Sequence, residues 1–196
     1  FALEHFSPRN IKKRMGYRHW QSRDLAAAIS AITASDYTGG SSSGSIYTDS
    51  AGRFSAAIPD GAGQAITSGG TYKVPAKTSD GTPIPMAGQR LGQSLVTFRK
   101  GNLSIDVRAR ESYWDKFDTD TESLRGKYDS GADKVDSRLT KVDGVRAIEI
   151  VALEGRKVSI IVFFKKDGRD HLITVTCPAA ELSTHIDTIR NFIGSY

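Results

Sequence analysis

Apolar positions change period along residues 142–196, and each change marks a new element. Residues 145–151 (VRAIEIV) alternate and are rich in β-branched side chains, the pattern of a strand. A second apolar run, residues 158–164 (VSIIVFF), is followed by KKDGRD, and a third run occupies residues 171–177 (HLITVTC). Asp167-Gly168 is a short hairpin signal, because both residues accept positive φ. The third run therefore returns antiparallel to the second. Pro178 ends it, having no N–H to give a ladder. Leu182, Ile186, Ile189 and Ile193 then recur at steps of four, three and four, one face of a helix. Antiparallel strands closed by an amphipathic helix predict an α+β unit with the helix covering one sheet face.

Upstream the signals are shorter. Residues 94–99 and 103–110 read as strands joined by a tight Lys100-Gly101-Asn102 hairpin. Residues 45–58 alternate loosely through Ile46, Tyr47, Phe54 and Ile58 and read as one opening strand, closed by Pro59-Asp60-Gly61. From there to Gly92 the chain is dense in Gly, Ser, Thr and Pro. It reads as a loop of about thirty residues, subdivided by a short ribbon at 71–74; loops of that length are normally functional or disordered. Residues 112–132 are polar and acidic. Asp120 or Thr121 is a good N-cap there for a short helix with Leu124 and Tyr128 on one face. Residues 134–143 lead into the terminal unit. Near the start, residues 25–34 are Ala-rich behind a basic stretch and end in small residues. That is the layout of a signal-like segment, and equally of a short amphipathic helix.

Charge sharpens the division of the chain. Of 196 residues, 27 are Lys or Arg and 22 are Asp or Glu, a net charge of +5. Six of the basic groups fall in residues 1–24, against Glu4 and Asp24, so this arm carries +4. The remainder is nearly neutral. Any electrostatic partner is therefore sought on the arm, at Arg9, Lys12, Lys13, Arg14 and Arg18, with Tyr17 and Trp20 supplying apolar area. An acidic protein surface or an anionic lipid surface fits that composition. Nucleic acid does not, since the rest of the chain offers no broad basic face. The Gly/Ser stretch 39–45 reads as a linker. The expected organisation is a basic arm and linker over residues 1–45 and an α+β domain over residues 46–196.

Candidate chemistry is sparse. His5, His19, His171 and His185 lack metal-ligand spacing, and no Walker loop, H-E-x-x-H or dinucleotide glycine fingerprint occurs, so neither metal nor cofactor is expected. His171 and Cys177 stand six positions apart along one strand, about 20 Å at the usual strand rise, too far for a dyad. Gly40-Ser-Ser-Ser-Gly44 matches G-x-S-x-G without the strand and helix that motif requires. Asp115, Asp118, Asp120 and Glu122 invite a calcium reading, but lack the glycine and spaced glutamate of an EF-hand loop. The single cysteine cannot form an internal disulfide. No stretch approaches the ~20 apolar residues a spanning helix needs. The expectation is a protein that binds rather than catalyses.

One family pattern fits these segments. The strand "LITVTCP", the helix after it and the ending "IRNFIGSY" resemble the carboxy-terminal half of the PsbP-like/DcrB-like family. "GRFSAAIPDG" resembles that family's opening strand and "NLSIDVRAR" its third, so the likeness covers residues 46–196. Two tryptophans common in the family are absent, one after the first strand and one at the start of the last helix. The resemblance implies an antiparallel sheet covered by helices, the PsbP-like α/β/α sandwich, here with a basic N-terminal arm. It implies a non-catalytic extrinsic subunit or assembly factor on the thylakoid lumen side of a large membrane protein complex, a photosystem; the charge of the arm makes the arm the expected docking element. The alternative it implies is a free-standing DcrB-like protein of the bacterial periplasm or envelope that binds a small ligand or peptide.

Overall fold

A computed structural model describes residues 23–38, 45–63, 65–77, 81–114 and 116–196. Its frame is a seven-stranded antiparallel sheet built from β3 (Ile66–Lys73), β4 (Arg90–Lys100), β5 (Leu103–Glu111), β6 (Lys134–Val142), β7 (Val145–Glu154), β8 (Lys157–Lys166) and β9 (Arg169–Pro178). The spatial order is β3-β4-β5-β9-β8-β7-β6. The chain thus lays down β6 to β9 as a meander and brings β9 back beside β5. Helix α1 (Arg23–Thr33) and helix α3 (Leu182–Gly194) lie on one face of the sheet, with a separate hairpin of β1 (Ile46–Thr48) and β2 (Ser55–Ala57). Helix α2 (Phe117–Gly131) lies on the other face. The protein is a mixed α+β fold.

Coverage on both faces explains the strand compositions. β8 is buried continuously from Val158 to Phe164, because one set of its side chains meets the α1/α3 layer and the other meets α2. The β8–β9 turn is the predicted one: Asp167 and Gly168 both take left-handed backbone, at φ 52 and 70. α3 buries Leu182, Ile189, Phe192 and Ile193, with Ile186 at the margin of the same contact.

Several expectations change. The opening strand is two short strands, because Asp49 turns the chain: its Oδ2 accepts from the amides of Ala51 (3.1 Å) and Arg53 (3.2 Å). The ribbon expected at 71–74 is the end of an eight-residue edge strand, β3, whose exposed ITSGGTYK sequence has no buried face to betray it. Residues 134–143, read as a lead-in, are the other edge strand, β6. α2 begins a turn before Asp120, after an N-cap Lys116 that makes no side-chain cap. Tertiary contacts replace that cap: Phe117 stacks on Phe163 at 5.9 Å, and Asp118 pairs with Arg146 at 2.8 Å.

Residues 25–37, ahead of the Gly/Ser stretch, are also part of the packed body. Leu25, Ala28, Ile29, Ile32 and Tyr37 join the same core as the residues beyond 46, so residues 25–34 form the amphipathic helix rather than a detached segment. At ~1.5–3 kcal/mol per buried aliphatic side chain, three such residues hold α1 firmly. Arg190 of α3 fixes the end of α1, donating to the carbonyls of Ala31 (3.3 Å), Ile32 (2.8 Å) and Asp36 (3.2 Å) and to Ser35 Oγ (2.6 Å). Tyr37 follows, buried, its hydroxyl donating to Glu149 Oε2. Burial, then the Glu149 charge, pushes the Tyr37 phenol well above its ordinary range. Arg138 completes the cluster with bonds to Glu149 at 3.0 and 3.2 Å.

Candidate functional site

The face beneath α2 divides into an apolar half and a charged half, and pairing register produces the division. Ile148, Ile150, Ala152, Ile161 and Phe163 from β7 and β8 form the apolar half with Leu124 and Tyr128 of α2. On β5 every second residue toward this face is charged, through Asp106, Arg108 and Arg110. Register sets Arg110 directly opposite Asp170 of β9, and Lys165 of β8 opposite the same Asp170.

Asp170 is therefore held from both sides. It is 3% exposed, accepts from Arg110 Nε at 3.0 Å and lies 2.6 Å from Lys165 Nζ. The Lys165 ammonium also reaches Asp120 Oδ2 of α2 (2.8 Å), Ser112 Oγ (3.1 Å) and the carbonyl of Trp114 (3.1 Å). That is four acceptors for three protons, which ties α2 to the sheet and the 112–114 segment to both. The Trp114 indole N–H donates to the Asp120 carboxylate at 3.3 Å, and the Arg110 guanidinium stands 5.0 Å from the Tyr72 ring centre. Two cations and two carboxylates make this cluster neutral.

Beside it opens a cleft of about 290 Å³ between α2 and the sheet. Arg108, Arg110, Asp170, Leu172 and Phe163 come from the strands, Asp120, Ser123, Leu124 and Lys127 from α2, and Tyr113 from the segment joining them. Arg108 and Lys127 are exposed and form no salt bridge among the described residues. Ser112 lies within bonding distance of Lys165, but an ammonium bridging two carboxylates is a donor with no lone pair to take a serine proton.

Of the residues singled out from sequence, Asp120 belongs to this cluster. Arg9, Lys12, Lys13, Arg14, Tyr17, Arg18 and Trp20 lie outside the described residues, as do Asp115 and the G-x-S-x-G match at 40–44. Asp118 and Asp120 turn to different cations, Arg146 and Lys165, rather than to a common centre. No group of three or more metal-ligating side chains occurs among the described residues. Cys177 is buried under the α3 layer, where desolvation and then Glu181 push its thiol up to about 11. On α3, His185 Nε2 stands 3.7 Å from Glu181, the residue before the helix. His171 lies on Phe164 (ring centres 4.9 Å apart), with its Nδ1 2.9 Å from the Tyr196 hydroxyl.

Burial brings His171 down to about 4 from 6.5, so the folded protein keeps it neutral where the unfolded chain binds a proton. Its contribution is complete above pH 6.5 and is lost as pH falls from there toward 4. By pH 5 the expected loss is about 2 kcal/mol relative to pH 7. Urea unfolding of wild type and His171→Phe at both pH values checks this. The variant should lose less on acidification, and equal losses would remove His171 as the cause.

Arg108, Arg110, Lys127, Lys165 and Asp170 were missed from sequence. A signal was present in "DVRAR", where charges repeat every second residue on a strand that must be internal if its neighbours are strands. No family model matches this chain, and no curated protein matches it significantly in sequence.

Proposed function

We propose that this chain is a non-catalytic binding protein and that the cleft between α2 and the sheet takes up a small ligand or peptide. This is the free-standing, envelope-type reading implied by the DcrB-like resemblance. The observation that carries it is a cleft with apolar floor residues and two cations, Arg108 and Lys127, that form no salt bridge among the described residues, beside a cluster that is already neutral. Helices on both faces of one antiparallel sheet support reading the fold as the PsbP-like α/β/α sandwich. A melting screen against small carboxylates, phosphates, amines and tripeptides tests the reading. A ligand at a hundred times its Kd stabilises by about 2.7 kcal/mol, which in a domain of this size shifts the melt by several degrees. A flat screen across all four classes would argue against it.

A second reading rests on a separate observation, the +4 concentrated in residues 1–24. In it the protein is an extrinsic subunit or assembly factor in the thylakoid lumen, docked on a photosystem through Arg9, Lys12, Lys13, Arg14, Tyr17, Arg18 and Trp20. The arm leads directly into α1, which Arg190 fastens to α3, so a docked arm would hold the whole body. Deleting residues 1–22 should release the protein from its membrane fraction without changing its melting temperature. High salt should release the intact protein as well, since exposed charges are screened over ~8–10 Å. Undiminished membrane association of the truncated chain would rule this reading out.

A further inference from the structure

We infer that the ligand of the α2 cleft is a small organic anion, a carboxylate or phosphate ester carrying one compact apolar or aromatic body. The inference rests on the ligand-binding reading above and adds the ligand's class and the residues that select it.

Charge sets the sign. Asp120 and Asp170, the carboxylates lining the cleft, are taken by Lys165 and Arg110, with contacts between 2.6 and 3.0 Å. Neither offers a free charge to a cationic ligand. Arg108 and Lys127 remain, one on each wall and with no salt bridge among the described residues, so the cleft and the Lys165 cluster behind it together carry +2. A guanidinium presents paired N–H donors that match a carboxylate or phosphate edge, and the flexible lysine adds a point charge. Both stand beside Leu124, Phe163, Leu172 and the Tyr113 ring, so one ligand can meet a cation and apolar area together.

Shape sets the body. At about 290 Å³ the cleft sits at the lower edge of the ~300–1,000 Å³ typical of ligand sites, room for one ring or a short branched chain. Leu124 and Leu172 are only partly buried, so apolar area remains for such a body to cover. An inorganic ion alone would leave that area wet. A neutral body alone would leave both cations unanswered.

Amide chemical-shift titration of the full chain tests this, with phenyl phosphate, 4-phenylbutyrate, inorganic phosphate, benzyl alcohol and phenethylamine as probes. Phenyl phosphate and 4-phenylbutyrate should saturate shifts at Arg108, Leu124 and Leu172 in the millimolar range or below. The double variant R108Q/K127Q, altered at two exposed positions, should bind them at least ten-fold more weakly while melting as wild type does. Inorganic phosphate and benzyl alcohol should each bind at least ten-fold more weakly than the aryl anions. Equal affinity of the aryl anions for the double variant overturns the inference. So does benzyl alcohol or phenethylamine binding as tightly as the anions, an outcome that leaves the ligand-binding reading standing. If no probe moves the cleft amides, both fall together.

Discussion

Ile189→Asp unfolds the domain. Ile189 is fully buried on α3, in the same cluster as Leu25, Ile29 and Ile32 of α1. Removing its aliphatic volume costs about 2–5 kcal/mol by the behaviour of buried large-to-small changes. The new carboxylate then sits among apolar side chains with no cation to meet it, a further penalty of several kcal/mol. Together these equal or exceed the ~5–15 kcal/mol by which domains of this kind are stable. Circular dichroism and soluble yield read the result, with Ser183→Asp, exposed on the same helix, as the control expected to melt normally. A normal melt for Ile189→Asp would contradict the packing of α3.

Arg138→Met is the next largest expected effect, and its reason is electrostatic. Glu149 is 1% exposed beneath the α1 layer and, among the described residues, is answered by Arg138 and the Tyr37 hydroxyl. Removing one partner of a buried pair typically costs ~3–5 kcal/mol, because the remaining charge stays buried. Arg138 keeps a quarter of its side chain in solvent, which puts the expected loss near the lower end of that range. The double change Arg138→Met/Glu149→Leu should recover most of it, since no buried charge is then stranded. Urea denaturation of the two singles and the double gives the coupling directly. An Arg138→Met variant within about 0.5 kcal/mol of wild type would show that solvent, not Arg138, answers Glu149.

Much of the fold was readable where one physical cause acted alone. β7 and β8 announced themselves because burial on both faces demands apolar side chains, β9 because its buried residues alternate with half-buried ones, and the Asp167-Gly168 turn because few residues accept its backbone. α3 was legible from its spacing, although Phe192, also buried, lay outside the four-residue pattern. Edge strands were not legible. β3 and β6 bury little, so their sequences carry turn-like and charged residues, and Ile66 and Leu139 stand more than half exposed. α2 was placed a turn late because its start is set by Phe117 on Phe163 rather than by a cap. The cleft was invisible for a similar reason. Lys165, Asp170, Arg110 and Asp120 come from four elements, and only the β5–β9–β8 register brings them together.

The location of binding is the claim on which the functional account turns, and filling the cleft tests it. Ser123 is an exposed residue of α2 that lines the cleft, so Ser123→Trp plugs it without entering the core. Calorimetric titration of the tightest ligand from the melting screen, into wild type and Ser123→Trp, is the decisive measurement. The account predicts that the unliganded variant melts as wild type does and binds at least ten-fold more weakly, about 1.4 kcal/mol. Equal affinity in a plugged, fully folded protein would place the ligand elsewhere and contradict it.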